Sequence, residues 1–184
     1  MTEHPRPRRA DARRNLDALL EAAKHVLATS GVDAPAKEIT DRAGVGVGTL
    51  YRHFPQRSDL VIAVLEHEID ACAAAGPALS AALPPGAALT QWVRRYTDLV
   101  ATKIGLASAL HGAHQELREY FYRRMGPVLD ALLRAAVADG EVRADVSAED
   151  VLHAVALLCQ PVPGKDHPAY GRRLVDVFLD GLRR

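Results

Sequence analysis

The stretch Gly44 to Phe54, GVGVGTLYRHF, reads as a tight glycine turn leading into a short helix, and the reading of its surroundings follows from it. Upstream, Ala36 to Ala43 (AKEITDRA) sets Ile39 and Ala43 four residues apart on one helical face and leaves Lys37, Glu38, Asp41 and Arg42 largely off it. Pro35 suits the first helical position, where its missing N–H would have had no partner anyway. Gly44 ends that helix, because glycine enters the left-handed conformation without a Cβ penalty. Gly46 is then the N-cap of a second helix, in which Val47, Leu50 and Phe54 recur at spacings of three and four and face inward. Gly48, Thr49, Arg52 and His53 point outward, and Tyr51 lies at the edge. A helix pair of this length, with small, hydroxyl and basic groups on the outside of its second member, fits the geometry of a major-groove reader. Double-stranded DNA is therefore the first partner to expect.

Strand signals are almost absent, so the chain reads as all-α. A first helix is expected from about Arg13 to Thr29, with Leu16, Leu19, Leu20, Ala23 and Leu27 on one side. Ser58 opens another, its hydroxyl as cap and Asp59 in the first turn, which carries Leu60, Val64, Leu65 and Ile69 inward and continues to Ala75. Gly76-Pro77 and Pro84-Pro85-Gly86 punctuate the chain. A long helix from about Ala87 to Ile104 has Leu89, Trp92, Val93, Tyr96, Leu99 and Val100 on a broad apolar face. Gly105 and Gly112 bracket a short helix at Leu106 to His111. Glu116 to Asp139 is either two helices or one interrupted at Gly126-Pro127. Ser147-Ala148-Glu149-Asp150 resembles a capping box. The helix it opens sets Val151, Val155, Leu158 and Cys159 on one side until Pro161, and after Pro168 a last helix repeats Leu174, Val175, Phe178, Leu179 and Leu182. Gly171 and Gly181 would let another helix approach closely. Two amphipathic helices ending a small helical body leave apolar surface that a partner would bury.

Composition narrows the class. The 184 residues suffice for a basic flexible arm (1–12), a head (13–57), a connecting helix (58–75) and a larger body (76–184). Formal charge is zero, but residues 1–60 hold 10 Lys and Arg against 8 Asp and Glu, and the remainder 13 against 15. The excess sits in Arg6, Arg8, Arg9, Arg13 and Arg14, an arm that either lies along phosphates or serves as a solvated tail. No apolar run approaches the roughly 18–20 residues of a membrane span, and the N-terminus has charges where a signal peptide has its apolar core, so a cytoplasmic protein is expected. Cys72 and Cys159 lie singly in apolar helical runs and read as core packing in a reducing compartment. There is no Walker loop, nucleophile elbow, HExxH or convincing triad, which argues against an enzyme and its cofactors. His111 and His114 lack an acidic or thiol partner at matching spacing, so no metal is expected.

From about Arg13 to Leu65 the chain resembles the N-terminal domain of the TetR family of transcriptional repressors. The resemblance runs through Ser30-Gly31-Val32, EITDRAGVGVGTLYRHF and Pro55-Gln56-Arg57-Ser58-Asp59-Leu60. Thr40 departs from the family's usual Ala, and Gly46 from its usual Ser or Thr cap. The stretch MGPVLDALLRAAVADGEVRADVSAEDVL resembles the effector domain of one large TetR subgroup. The resemblance implies a helix-turn-helix head on a helical body that binds effector and dimerises. It implies a palindromic DNA operator read by a homodimer, and a small apolar or aromatic effector that shifts the spacing of the two heads and releases the DNA. Tyr51 and His53 match the family's phosphate-contacting pair. Lys37 would add a cation at a helix N-terminus, Gly48 and Thr49 would approach the groove floor, Arg52 would reach a guanine or stay in solvent, and Gly46, Val47 and Arg57 complete the surface. The partner helices of the dimer would present Val151, Val155, Leu158, Leu174, Val175, Phe178 and Leu182. Aromatic and polar groups in mid-body, Trp92, Tyr96, Val100, His111, His114, Gln115, Phe121 and Tyr122, suit a mostly apolar pocket. The rival reading is a helical interaction protein of the same fold that has lost sequence-specific DNA binding.

Overall fold

The computed structural model describes the backbone of residues 6–110 and 114–184 and the side chains of residues 14–110 and 115–184. His111, the residues before Arg6, and the side chains of His114 and of the arm residues Arg6, Arg8, Arg9 and Arg13 therefore lie outside what is described. Among the described residues there are eight α-helices, α1 (Arg6–Ser30), α2 (Ala36–Ala43), α3 (Val47–His53), α4 (Arg57–Ala82), α5 (Pro85–Gly105), α6 (His114–Ala138), α7 (Ala148–Leu158) and α8 (Ala169–Leu182), with a 3-10 turn at Ala107–Ala109. An isolated bridge joins Val142 to Arg183, and no strand is described. The chain divides into two compact units, residues 1–67 with 105–113, and residues 68–104 with 114–184.

In the first unit α1 packs on α2 and α2 on α3. Leu19, Ala23 and Leu27 of α1, Ile39 of α2, Leu50 of α3, Phe54, and Leu60, Val61 and Val64 of α4 make the core. Val47 departs from the expected inward stripe: it is 38% exposed, because its place in the first turn of so short a helix projects it past the core that Leu50 fills. Helix α1 begins at Arg6 rather than near Arg13, since Arg, Ala and Asp residues continue the helix and Pro7 falls in the first turn, where a missing N–H is harmless. The α4 cap also differs from expectation. The helix starts one step earlier, at Arg57, which puts Ser58 inside the first turn, and the Asp59 carboxylate reaches back to accept the Gln56 N–H at 2.9 Å.

In the second unit α6 packs on α7 and α7 on α8, and Trp92, Val93, Met125, Leu129, Ala136, Val151 and Val155 are fully buried. Neither Gly-Pro step ends a helix. Helix α4 runs through Gly76-Pro77 to Ala82, and α6 runs unbroken through Gly126-Pro127. The alanines around Gly76 are strong helix formers, and Gly76 earns its place by packing, since a Cβ there would overlap a methyl of Val128. Ser147 caps α7 in a complete capping box with Asp150. Gly171 brings α8 against α7, where an added Cβ would stand 3.2 Å from Cys159 Cα. Both cysteines are free and buried; burial pushes the Cys72 thiol up to about 12 and raises that of Cys159 too.

Candidate nucleic-acid interface

The turn between α2 and α3 is built by its glycines. Gly44 adopts φ 68°, ψ 28°, and carries two reverse-running bonds, Gly44 N–H to the Asp41 carbonyl at 3.4 Å and Val45 N–H to the Thr40 carbonyl at 3.1 Å. This is a Schellman end, and it needs a residue free of strain at positive φ. Thr40 is buried, and its hydroxyl donates to the Lys37 carbonyl at 3.1 Å, so a polar side chain sits in the core with its hydrogen bond made. Pro35 stands at the N-cap of α2, one step before the expected first helical position. Gly46 caps α3 in extended conformation without a side-chain bond.

The outer face of α3 is unengaged by the fold. Tyr51 is 54% exposed, Arg52 and His53 are exposed, and a Cβ on Gly48 would meet nothing within 4 Å. Thr49 is half-buried. The His53 ring lies 6.1 Å from that of Phe54, which is buried and holds the end of the helix to the core. Lys37 is exposed and paired with Asp41, Nζ to Oδ2 2.6 Å. Arg57 is engaged by the fold: its Nε donates to the Val32 carbonyl at 2.8 Å and its Nη2 to the Ala34 carbonyl at 2.9 Å, tying the α1–α2 loop to the start of α4. The sequence shows a basic residue at that position; what it cannot show is which distant carbonyls receive it.

In the body the expected pocket residues divide. Trp92 and Tyr96 are core residues with their polar atoms satisfied, the indole N–H donating to the Cys72 carbonyl at 2.9 Å and the phenol to the Leu152 carbonyl at 3.0 Å. Burial raises the Tyr96 phenol pKa well above its ordinary value. Val100 is buried as well. Rings continue from Tyr96 to Phe121 at 5.5 Å, to Tyr122 at 5.2 Å, and to His153 at 6.2 Å. Tyr122 and His153 border an open cleft of about 700 Å³ with Arg118, Glu149 and Leu152. Gln115 is exposed and donates to Glu119 at 3.1 Å. Among the described residues no group of His, Cys, Asp and Glu could hold a metal ion. No helix among them is long and apolar enough to cross a membrane.

The residues expected at a dimer interface also divide. Val151, Val155, Val175 and Leu182 are buried within this chain, and Leu158, Leu174 and Phe178 are half-buried. Leu157 and Val177, which the stripes passed over, are 69% and 71% exposed. Helical spacing gives an apolar stripe but not which flank of it a neighbouring helix covers.

A glycine-turned helix pair with an unengaged outer face, followed by a separate α-helical body, defines a helix-turn-helix regulator. The chain belongs to the TetR family: residues 19–64 match the family model for bacterial regulatory proteins of the tetR family, and residues 84–184 match the C-terminal domain of SbtR-like transcriptional regulators. It is similar to a TetR transcriptional regulator of Streptomyces coelicolor, with 38% identity, TM-score 0.74, and coverage of 91% of this chain and 97% of that one. A TetR regulatory protein of Mycobacterium vanbaalenii gives 37% identity, TM-score 0.76, and coverage of 97% and 100%. An HTH-type transcriptional regulator of Staphylococcus aureus is 37% identical over 73 residues, which span 38% of each chain. The class is regulatory and non-enzymatic.

Proposed function

We propose that this chain is a cytoplasmic repressor that binds a palindromic DNA operator as a homodimer and is released by a small apolar or aromatic effector. The observation that carries the reading is the outer face of α3, where Gly48, Tyr51 and Arg52 are held out by a buried Leu50 and Phe54 with no task in the fold, and His53 is exposed beside them with only its ring near Phe54. Tyr51 and His53 are suited to phosphate oxygens and Thr49 to a base edge. One seven-residue helix makes few base contacts, so two heads about one helical turn apart, ~34–36 Å, are needed to read a palindrome.

The second copy is best accommodated on α7 and α8. Leu157 and Val177 are the most exposed large apolar side chains among the described residues, and Leu158, Leu174 and Phe178 flank them half-covered. Gly181 is open, with nothing within 4 Å of an added Cβ. An effector would act by favouring a body conformation whose head spacing misfits the operator, and a coupling of ~1–3 kcal/mol would change DNA affinity ~5–150-fold. The Tyr122–His153 cleft is the accessible end of the ring series and the place to look for it.

Selection of duplexes from a random pool tests the DNA reading, with a two-fold symmetric consensus expected; failure to enrich any sequence would favour the interaction-protein alternative. Sedimentation of Val177→Asp tests the interface. Val177 is largely exposed within the chain, so the variant should fold, but a charge buried unpaired between two copies should weaken the dimer by about 2 kcal/mol or more. A wild-type protein that sediments as a folded monomer at micromolar concentration would sink the dimer.

A further inference from the structure

On α2, Lys37 and Asp41 form an ion pair at 2.6 Å with 75% and 64% of their side chains exposed. The order of the two charges is the reverse of what the helix itself would favour. The cation sits in the first turn, at the positive end of the peptide dipoles, and the anion in the last, at the negative end. Acid before base is also the better order for a pair four residues apart. Helix stability thus gives no reason for this arrangement. The neighbouring acid is accounted for, since Ser30 Oγ donates to Glu38 at 2.7 Å. Asp41 faces Lys37.

We propose that Asp41 is a positioning residue for DNA binding that acts through Lys37, an internal counter-ion that phosphate must displace. The inference rests on the reading of Lys37 as a phosphate contact. When a duplex arrives, one ammonium is contested by two anions. Either Lys37 leaves Asp41, which strands a carboxylate close to the phosphates, or it keeps Asp41 and brings a negative charge into the interface. Both outcomes make binding weaker than a neutral side chain at position 41 would allow. The penalty falls equally on every sequence, because phosphate contacts carry no sequence information, so restraint of Lys37 lowers the grip on all DNA alike and leaves the base contacts of α3 a larger share of the total affinity. The head's slight positive balance, 10 basic against 8 acidic residues over positions 1–60, agrees with a protein whose grip on DNA is held in check.

The test uses the full chain and fluorescence anisotropy against a random-sequence duplex and a duplex selected from a random pool, over a salt series. Asp41→Asn should tighten binding to both by about three- to tenfold at low salt, with the gain fading as the Debye length shortens. In a Lys37→Ala background the same substitution should gain clearly less, since only the repulsion between carboxylate and phosphate is then relieved and no ammonium is released. Melting temperature should hold or rise slightly, so the salt dependence reports the interface and not the fold. Unchanged affinity for Asp41→Asn would overturn the proposal, and so would an equal gain with and without Lys37, which would make Asp41 a plain repulsive charge. If the wild type binds duplex but Lys37→Ala changes neither affinity nor salt slope, the Lys37 assignment falls and the proposal with it. A wild type that binds no duplex would overturn the regulator reading itself.

Discussion

Tyr51 on α3 and Tyr96 on α5 carry the same phenol in opposite circumstances. Tyr96 is 2% exposed, its hydroxyl donates to the Leu152 carbonyl, and neighbouring rings cover its faces. Tyr51 is 54% exposed on a helix whose other side is anchored. The contrast extends to their helices: the polar atoms of α5's inner face are consumed by the fold, while those of α3's outer face are left over. A satisfied buried group explains itself by packing. A group held rigidly at the surface with no internal task asks for a partner outside the chain, and this is why the head yields a functional reading from geometry and the α5 face does not.

Substitutions at these two places should separate stability from binding most widely. Trp92→Ala removes the largest fully buried side chain and its bond to the Cys72 carbonyl, and should destabilise the protein by about 3–5 kcal/mol. Tyr51→Ala should change stability by less than about 0.5 kcal/mol and weaken duplex binding several-fold. Urea denaturation and anisotropy on both variants check the pair. A Tyr51→Ala protein that melts early but binds normally would invert the comparison and make α3 a structural helix.

Arg57 tests the border between the two kinds of residue. Its guanidinium is spent on the Val32 and Ala34 carbonyls, so Arg57→Ala should destabilise the head by about 1–3 kcal/mol. Arg57→Lys should recover little of it, because an ammonium cannot serve two carbonyls in the fixed fork of a guanidinium. DNA binding should fall for both in step with the head's stability. A variant with normal stability and a lowered salt slope would return Arg57 to the phosphate-contacting set.

Local chemistry was legible in the sequence wherever it repeats within a few residues. The glycine end of α2, the Gly46 cap of α3, the Ser147 capping box and the inward stripe of α5 each depend on neighbours three or four positions away, and each is present. Readings that depend on distant chain were harder. Gly76-Pro77 and Gly126-Pro127 look like breaks, but surrounding alanines and tertiary packing carry the helices across them. Val47 looks like core by spacing alone, yet it stands in the first turn of α3 and projects past the core that Leu50 fills. The covered and open flanks of α7 and α8, and the meeting of Tyr122 with His153, follow from which helices become neighbours, and no spacing in one segment encodes that.

Gly48 sharpens the comparison at lower energy. It lies inside α3, where glycine is less stable than alanine by roughly 0.5–1 kcal/mol, and no neighbour requires its small size. Gly48→Ala should therefore raise the head's stability by about that amount while weakening duplex binding, if the backbone there comes close to the groove. Thermal melting and anisotropy read the two effects separately. Gains in both would remove Gly48 from the interface.

The smallest effect expected is at Gly46, where the sequence departs from the family's hydroxyl cap. The residue has φ −75° and ψ 147°, a conformation any L-residue adopts, and an added Cβ would meet nothing within 4 Å. A serine there could turn its Oγ to the Thr49 N–H, which now bonds the Gly46 carbonyl at 2.9 Å. Replacing a glycine cap by serine is worth only a few tenths of a kcal/mol, too little for a global melt to report cleanly. Amide exchange is the better measure, because fraying of α3 opens locally and well below the global transition. In Gly46→Ser the amides of Gly48, Thr49 and Leu50 should exchange more slowly by a factor of about 1.5–2, the change that a few tenths of a kcal/mol produces at 25 °C, while amides of α5 stay unchanged. Unaltered exchange across α3 would mean that the first turn is already held by the Leu50 and Phe54 anchors, and that the missing hydroxyl leaves the helix no looser than a capped one.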